Sequence, residues 1–416
     1  MIPAAITGIG LLTPVGRGAE EVFHALCVGK SGLSAPPPGH PAAASVDVGG
    51  FVPEIDPRTV VSGPAAAVVD KVVVLALLTA ADALADAGIQ VGRDVDPHRV
   101  GVVVGGVGGM ATLESQVLAR GERGRTAVSP YLLTGILPNM PAARIAIAHG
   151  IRGYSSSIGT ACASGAQALA DGLRLIRAGD ADVVVCGASE APLFPTFADT
   201  FGNARALARR WADPTAASRP FDRRRNGFVL AEGAGMLVLE RVAHADARGA
   251  AGYADLRGWG ATTDAHHPTT PRPDGAGAAE CMRRALASAD LTPADIGYVN
   301  AHGTATKLGD VAEAAALGAV FGGEGPPVSS TKALTGHMLG TSGVVEAAAS
   351  ALAVARGVLP PTFNLEEVDP ACPGAHLRST PVETEIDHAL TNSFGFGGQN
   401  VSLVLSGAST DKKRNG

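Results

Sequence analysis

The 416-residue sequence is short of several things, and each shortage narrows what the chain can be. Charged residues make up only 17%, and 33 basic against 39 acidic residues leave a net charge of −6. No global field for nucleic acid or anionic lipid follows, so neither is expected as a partner. Cysteine is scarce and unpaired: Cys27, Cys162, Cys186, Cys281 and Cys372 are odd in number, scattered, and never in a CxxC pair. That argues against a disulfide framework and structural zinc, and for a reducing compartment. Long hydrophobic runs are missing as well. Val72–Ala81 is too short to span a bilayer, and MIPAAITGIGLLTPVG lacks the basic start of a secretory signal. The expectation is a soluble, cytoplasmic protein with no membrane partner.

Small and apolar residues are abundant instead. Hydrophobic residues reach 46%, with 54 Gly and 28 Pro, a composition of turns and close packing. At about 150 residues per domain the length implies two or three domains, or one duplicated unit. Val- and Ile-rich runs at Val100–Val104, Asp182–Cys186, Gly235–Leu239, Gly297–Ala301 and Val401–Leu405 predict strands. Helical spacing predicts helices over Val72–Ala87 and Ala163–Ala178, the second stopped by Gly179. Alternation of the two implies an α/β architecture.

Two passages share a layout of short strand, small-residue turn, Ala-rich helix, glycine and apolar run. They are SSSIGTACASGAQALADGLRLIRAGDADVVVC and VSSTKALTGHMLGTSGVVEAAASALAVARGVLPP. A duplicated α/β half explains them economically. The halves are expected to join near Arg241–Gly252, giving units 1–250 and 251–416, and the tail Ser406–Gly416 is expected to fray.

Cys162 lies in Gly159-Thr160-Ala161-Cys162-Ala163-Ser164-Gly165, between an extended segment and a helix start. Free backbone N–H groups and the helix dipole there favour a thiolate, which predicts a thiol pKa below its usual ~8.5. Small neighbours permit the sharp, accessible turn that a nucleophile needs. A lone cysteine is more often a small core residue, but two loop histidines supply a context for this one. They are His302 in Asn300-Ala301-His302-Gly303-Thr304-Ala305-Thr306 and His337 after Ser330-Thr331-Lys332-Ala333-Leu334-Thr335-Gly336. Both sit at element ends, where α/β proteins collect function. Neither HxxxH nor HExxH spacing occurs, so no metal ligand is assigned.

These motifs resemble the β-ketoacyl synthases, the condensing enzymes of fatty-acid and polyketide synthesis. The resemblance runs from AITGIGLLTPVG through GTACASGAQAL, SRPFDRRRNGFVLAEGAGMLVLE, NAHGTATKLGD and SSTKALTGHMLGTSGVVEA to NSFGFGGQN. It is nearest to the stand-alone elongating synthases of type II systems. It implies a thiolase-like fold of two duplicated α/β halves in an α-β-α-β-α sandwich. The implied reaction joins an acyl group on Cys162 to malonyl-acyl carrier protein, releasing CO2 and a 3-oxoacyl-acyl carrier protein.

The resemblance also implies the residue roles. His302 and His337 promote decarboxylation and hold the enolate. Lys332, paired with Glu313 and Asp310, orients the histidines. The backbone N–H groups of Cys162 and Phe396 form an oxyanion hole, and Phe396 also gates the acyl pocket on a loop freed by Gly395, Gly397 and Gly398. Thr304 and Thr306 hold the pantetheine arm. No cofactor is implied beyond that arm, which arrives on the carrier protein. Asn300, Glu346 and Asn392 fall where some relatives enclose a structural monovalent cation. The implied partners are acyl carrier protein and a second subunit, either a like copy or a chain-length-factor-like protein.

Several positions depart from the family pattern. The stretch Val60–Lys71 keeps only Lys71 where relatives carry a basic carrier-docking helix start, leaving Arg205, Arg209 and Arg210 as candidates for that surface. Gln399 and Lys307 also differ from the usual residues. Val107, Met110 and Leu133 are candidates for the acyl-pocket floor, each more safely read as a core residue. Three rival readings remain at this point. A non-catalytic chain-length partner would lack the nucleophile, whereas Cys162, His302 and His337 are all present. A thiolase-like CoA acyltransferase would carry a second cysteine near NSFGFGGQN, which has none. A cysteine hydrolase would need water where a gated apolar pocket excludes it.

Overall fold

The computed structural model describes residues 2–323 and 325–413. Ten strands follow one path across the molecule. In chain order they are β1 (Ala4–Thr13), β2 (Val100–Gly105), β3 (Ser155–Ile158), β4 (Val183–Glu190) and β5 (Gly233–Arg241) in the first half. The second half holds β6 (Ala254–Thr263), β7 (Tyr298–Asn300), β8 (Val328–Ser329), β9 (His388–Gly395) and β10 (Gln399–Gly407). Five helices matter for the site: α1 (Lys71–Ala87), α2 (Ser164–Ala178), α3 (Ala276–Ala289), α4 (Lys307–Phe321) and α5 (Ser342–Arg356).

Pairing repeats between the halves. β5 runs antiparallel between β1 and β4, while β2 runs parallel to both β4 and β3. In the same way β10 runs antiparallel between β6 and β9, while β7 runs parallel to β9 and β8. The half-sheets meet where Ala4–Ile6 pair with Ala254–Leu256. The duplication expected from the two similar passages is thus present in the topology. α2 and α5 are the helices of those passages, and they pack on one another between the half-sheets.

Side-chain alternation explains the layering. In β2, Val103 joins the central core while Val102 and Val104 face outward; in β4, Val184 and Cys186 point in and Val183 and Val185 out. α1 covers the outer face of the first half with Val73, Leu77 and Ala80. α3 and α4 cover the second with Met282, Leu286 and Leu317. The result is five layers, helix–sheet–helix–sheet–helix. Every residue of α5 from Ser342 to Val354 is buried, so this helix accepts few large side chains. Ala, Ser and Gly dominate it, and much of the alanine in the sequence has this steric origin.

The outer helices lie unusually close to their strands. A Cβ on Gly10 of β1 would fall 2.0 Å from the Thr79 carbonyl oxygen of α1, and one on Gly260 of β6 would fall 2.1 Å from that of Cys281 in α3. Both first strands also carry a register irregularity at matching places, between Ile6 and Gly8 and between Leu256 and Gly258.

The tail departs from expectation. Ser406 lies in β10, Thr410 is buried, and Lys412–Lys413 pair with Ala251–Gly252. The fraying expected there fails because the Thr410 hydroxyl accepts from the Gly252 N–H and donates to the Lys412 carbonyl. Residues 414–416 of that tail lie outside the described residues. Among the described residues no helix is long and apolar enough to cross a membrane.

Candidate active site

Cys162 occupies a short turn, Ala161–Ala163, between β3 and α2. Ala161 has φ 48°, a left-handed conformation that the surrounding hydrogen bonds must maintain. Ser164 does this: its Oγ accepts from the Thr160 N–H at 2.9 Å and donates to the Ala161 carbonyl at 2.7 Å. The strand-end loop after β9 reaches the same turn. A Cβ on Gly395 would lie 2.6 Å from the Thr160 carbonyl oxygen, so glycine is needed for this approach. The approach brings the Phe396 N–H to the Cys162 sulfur, which the Cys162 N–H also faces. His337 Nε2 lies 3.2 Å from Sγ.

The thiol does not behave as the sequence predicts. Burial pushes it up to about 11, against the lowering influence of the Lys332 charge and the two amides. Desolvation outweighs the helix start because the sulfur sits in a cavity wall shared with apolar side chains, including Phe228 and Leu339. Alkylation of the Cys162 peptide by iodoacetamide should therefore accelerate about tenfold per pH unit from pH 7 to 10, following the thiolate fraction. A rate already level above pH 7 would mean a lowered thiol instead.

The two histidines come from the second half. His302 follows β7, on a loop held from beneath by α4: the His302 and Gly303 N–H groups donate to Glu313 at 2.8 and 2.7 Å, and the Ala305 N–H donates to Asp310 at 3.1 Å. Asp310 also accepts from the Phe221 N–H and lies 3.3 Å from Arg225. His337 is stitched to the first half, donating its N–H to the Val229 carbonyl at 2.7 Å and accepting from the Ala231 N–H at 3.0 Å. Its ring stands nearly perpendicular to that of His302, with centroids 5.4 Å apart.

Burial, reinforced by the Lys332 cation, holds both imidazoles well below their usual 6.5. They are neutral donor–acceptor rings at physiological pH. Lys332 itself is buried and donates to the His302 carbonyl at 2.5 Å, with His302 Nδ1 3.5 Å away. Its ion-pair partner is Glu346 of α5, which corrects the expected pairing with Glu313 and Asp310. Those two carboxylates, one turn apart on α4, are occupied by loop amides. Burial raises Glu313, and lifts Asp310 and Glu346 to about 7.

Cys162, His302 and His337 open on one cavity of about 560 Å³. Thr304 and Thr306 line it, their hydroxyls 3.1 Å apart, as do Phe396 and Gly398. Gly397 has φ 84° and donates to the Pro268 carbonyl at 2.7 Å, while Gly398 accepts from the Asp264 N–H at 2.8 Å. Asp264 further accepts from Asn400 at 2.7 Å. The Phe396 loop is thereby latched to the segment 264–272. Arg205, Arg272 and Lys307 stand on the cavity lining. Lys71 does not, because Glu232 holds it at 2.7 Å. Arg209 faces Asp47.

Val107, Met110 and Leu133 are absent from this lining and are 39%, 40% and 62% exposed, which corrects their expected place at the pocket floor or in the core.

The Beta-ketoacyl synthase, N-terminal domain, matches residues 1–245, and the Beta-ketoacyl synthase, C-terminal domain, matches 253–366. The chain belongs to the beta-ketoacyl synthase family. The 3-oxoacyl-[acyl-carrier-protein] synthase 2 of Vibrio harveyi is 39% identical, over 96% of this chain and 97% of that protein. The mitochondrial 3-oxoacyl-[acyl-carrier-protein] synthase of Arabidopsis thaliana is 37% identical, over 96% and 92%. Two solved structures are similar over 98% of this chain and 100% of theirs. One is AntDE:AntF, a type II PKS acyl-carrier protein in complex with its ketosynthase (31% identity, TM-score 0.89). The other is the ishigamide ketosynthase/chain length factor (30%, 0.91).

As a beta-ketoacyl synthase, the chain has neighbours to its site that sequence reading missed. Ser342 touches His337, Phe228 packs edge-on to that ring at 5.3 Å, and Asp264 holds the Phe396 loop. Phe228 and Ser342 had a signal, their places in the motifs NGFVLAEG and SSTKALTGHMLGTSGVVEA.

The three residues suggested for a monovalent cation differ in availability. Both amide atoms of Asn300, Glu346 Oε2 and the Thr391 hydroxyl are buried without partners, and Thr391 is the register neighbour of Asn300. Asn392 is engaged with Glu313 and Ser402. Amide, hydroxyl and carboxylate oxygens fit such an ion chemically, and it would supply charge compensation only. No group of three or more His, Cys, Asp or Glu among the described residues could hold a metal.

Proposed function

We propose that this synthase condenses an acyl group carried on Cys162 with malonyl-acyl carrier protein. The supporting observation is the convergence of one sulfur, two backbone N–H groups and a perpendicular imidazole pair on a single cavity. The Cys162 sulfur attacks the incoming thioester carbonyl, the thiol proton passes to the departing pantetheine sulfur, which leaves as the thiol, and the developing oxyanion takes the Cys162 and Phe396 N–H bonds. Malonyl thioester then enters past Thr304 and Thr306. Its carbon–carboxylate bond breaks, CO2 departs, and the electron pair moves to the thioester oxygen as an enolate. His302 and His337 donate to that oxygen. The enolate carbon attacks the acyl-Cys162 carbonyl, the sulfur leaves as thiolate and takes a proton from solvent to restore the thiol, giving a 3-oxoacyl-carrier product two carbons longer. Lys332, fixed by Glu346, holds the His302 loop through its carbonyl. The pantetheine arm is the only mobile group these steps use.

A second subunit belongs to the same reading. Among the described residues β3 pairs only with β2, the helix Met140–His149 packs against it, and the exposed apolar side chains include Ile147 of that helix, Tyr154 next to β3, and Leu133, Val117 and Leu118, at 79%, 53%, 62%, 60% and 60%. Exposed apolar side chains with a free strand edge fit a like or chain-length-factor-like partner.

One experiment covers both claims. The protein is incubated with acyl-carrier protein, sedimented, digested and weighed, and then given malonyl-carrier protein. Expected are an acyl mass on the Cys162 peptide, discharge on malonyl addition, and sedimentation as at least a dimer. No acyl mass with a competent carrier removes the catalytic reading. A stable monomer removes the partner.

A further inference from the structure

We propose that the Ser342 hydroxyl fixes the tautomer of His337, donating to Nδ1 so that the ring proton sits on Nε2, the nitrogen facing Cys162. This rests on the condensing reading above and adds a positioning residue to it.

Ser342 opens α5 and is buried. Its Oγ accepts from the Met338 N–H at 3.0 Å and lies 3.2 Å from His337 Nδ1. An amide can only donate, so Met338 occupies a lone pair and leaves the hydroxyl proton to be placed. Among the described residues His337 Nδ1 is the acceptor recorded within reach of Oγ. A neutral ring that accepts at Nδ1 carries its proton at Nε2.

The duplicated fold supplies an internal control. Ala161 and Leu339 share φ 48° at corresponding places before α2 and α5, which aligns Thr160 with Met338 and Ser164 with Ser342. Both serines accept from the N–H four residues earlier. Ser164 passes its proton to the Ala161 carbonyl, whereas Ser342 has an imidazole beside it. The same capped turn therefore does structural work in one half and orients a ring in the other.

The second histidine is arranged in parallel. The Lys332 ammonium has no lone pair and stands 3.5 Å from His302 Nδ1, so it too donates there. Both rings then present Nε2–H to the cavity, two donors for one enolate oxygen. The opposite tautomer of His337 would aim a lone pair at that oxygen. Cys162, His302 and Lys332 are the titratable groups around His337, and the charge of Lys332 opposes its protonation.

The test has two arms on the full-length protein. Ring-15N histidine labelling, with His337 assigned by loss of its signals in His337→Gln, should show Nε2 protonated and Nδ1 bare. In the kinetic arm, Ser342→Ala should lower malonyl decarboxylation about tenfold or more, the scale of losses when a ring-orienting partner is removed. Cys162 acylation should fall by a clearly smaller factor, and Ser342→Thr, which keeps a hydroxyl, should recover decarboxylation. Loss of a bond to the neutral ring should also move the acidic limb of the profile to higher pH in Ser342→Ala. A proton on Nδ1, or decarboxylation in a folded Ser342→Ala equal to wild type, overturns the assignment. Wild-type protein that acylates nothing would instead defeat the parent reading, and the ring-nitrogen measurement would still decide the tautomer.

Discussion

Cys162→Ala should lower acyl transfer from a carrier protein by about 10⁴-fold, the scale seen when a covalent nucleophile is deleted, while malonyl decarboxylation continues. The first half follows from chemistry. No other cysteine can substitute, because Cys186, Cys281 and Cys372 are buried and Cys27 is not on the cavity lining. The second half follows from geometry, because the enolate donors sit on rings held by other residues. His302 is fixed by Glu313 and Lys332, and His337 by Val229, Ala231 and Ser342, none of which needs the sulfur. Losing one heavy atom from the wall of an open cavity should cost folding no more than about 1 kcal/mol. Intact mass after acyl-carrier incubation, a decarboxylation assay and a thermal melt check the three parts. An acyl mass persisting on the variant would move the nucleophile elsewhere.

The position of the sulfur was legible because strand, small-residue turn and helix leave a local signature, and the left-handed Ala161 and Leu339 turns fall inside the two passages whose likeness revealed the duplication. The thiol's protonation was not, since the helix start is local while the desolvating wall, Phe228 and Leu339 included, arrives from distant parts of the chain. Lys332 shows the same limit. Glu313 and Asp310 stand beside the HGTAT motif in sequence, but their place on α4 turns both toward loop amides. Glu346, fourteen residues from Lys332, reaches it because α5 runs beneath.

Apolar character misled for another physical reason. Val107, Met110 and Leu133 are the type of residue that lines a pocket, yet hydrophobicity alone does not separate an interior from a surface another chain covers. Their exposure is information that only the fold carries.

His302→Ala and His337→Ala should each lower decarboxylation and condensation by about 10²–10³-fold, the cost of removing one donor from a developing oxyanion. They should differ at the first step. His337 Nε2 lies 3.2 Å from the sulfur, so its loss also slows acylation, whereas among the described residues no hydrogen bond joins His302 to the sulfur and its loss should spare that step. Their pH behaviour follows from the depressed imidazoles. A folded chain that refuses protons which the unfolded chain accepts loses stability as pH falls below the unfolded value of about 6.5. The two rings' contribution to stability should thus decline below that pH and be smaller in His302→Ala, against the opposite trend of the raised Asp310 and Glu346 carboxyls, and decarboxylation should have no histidine limb from pH 6.5 to 8. Stopped-flow acylation beside a CO2-release assay separates the steps, and denaturant midpoints from pH 5 to 7 give the linkage. Equal losses at both steps in His302→Ala would show that the ring supports the fold of the site rather than the enolate.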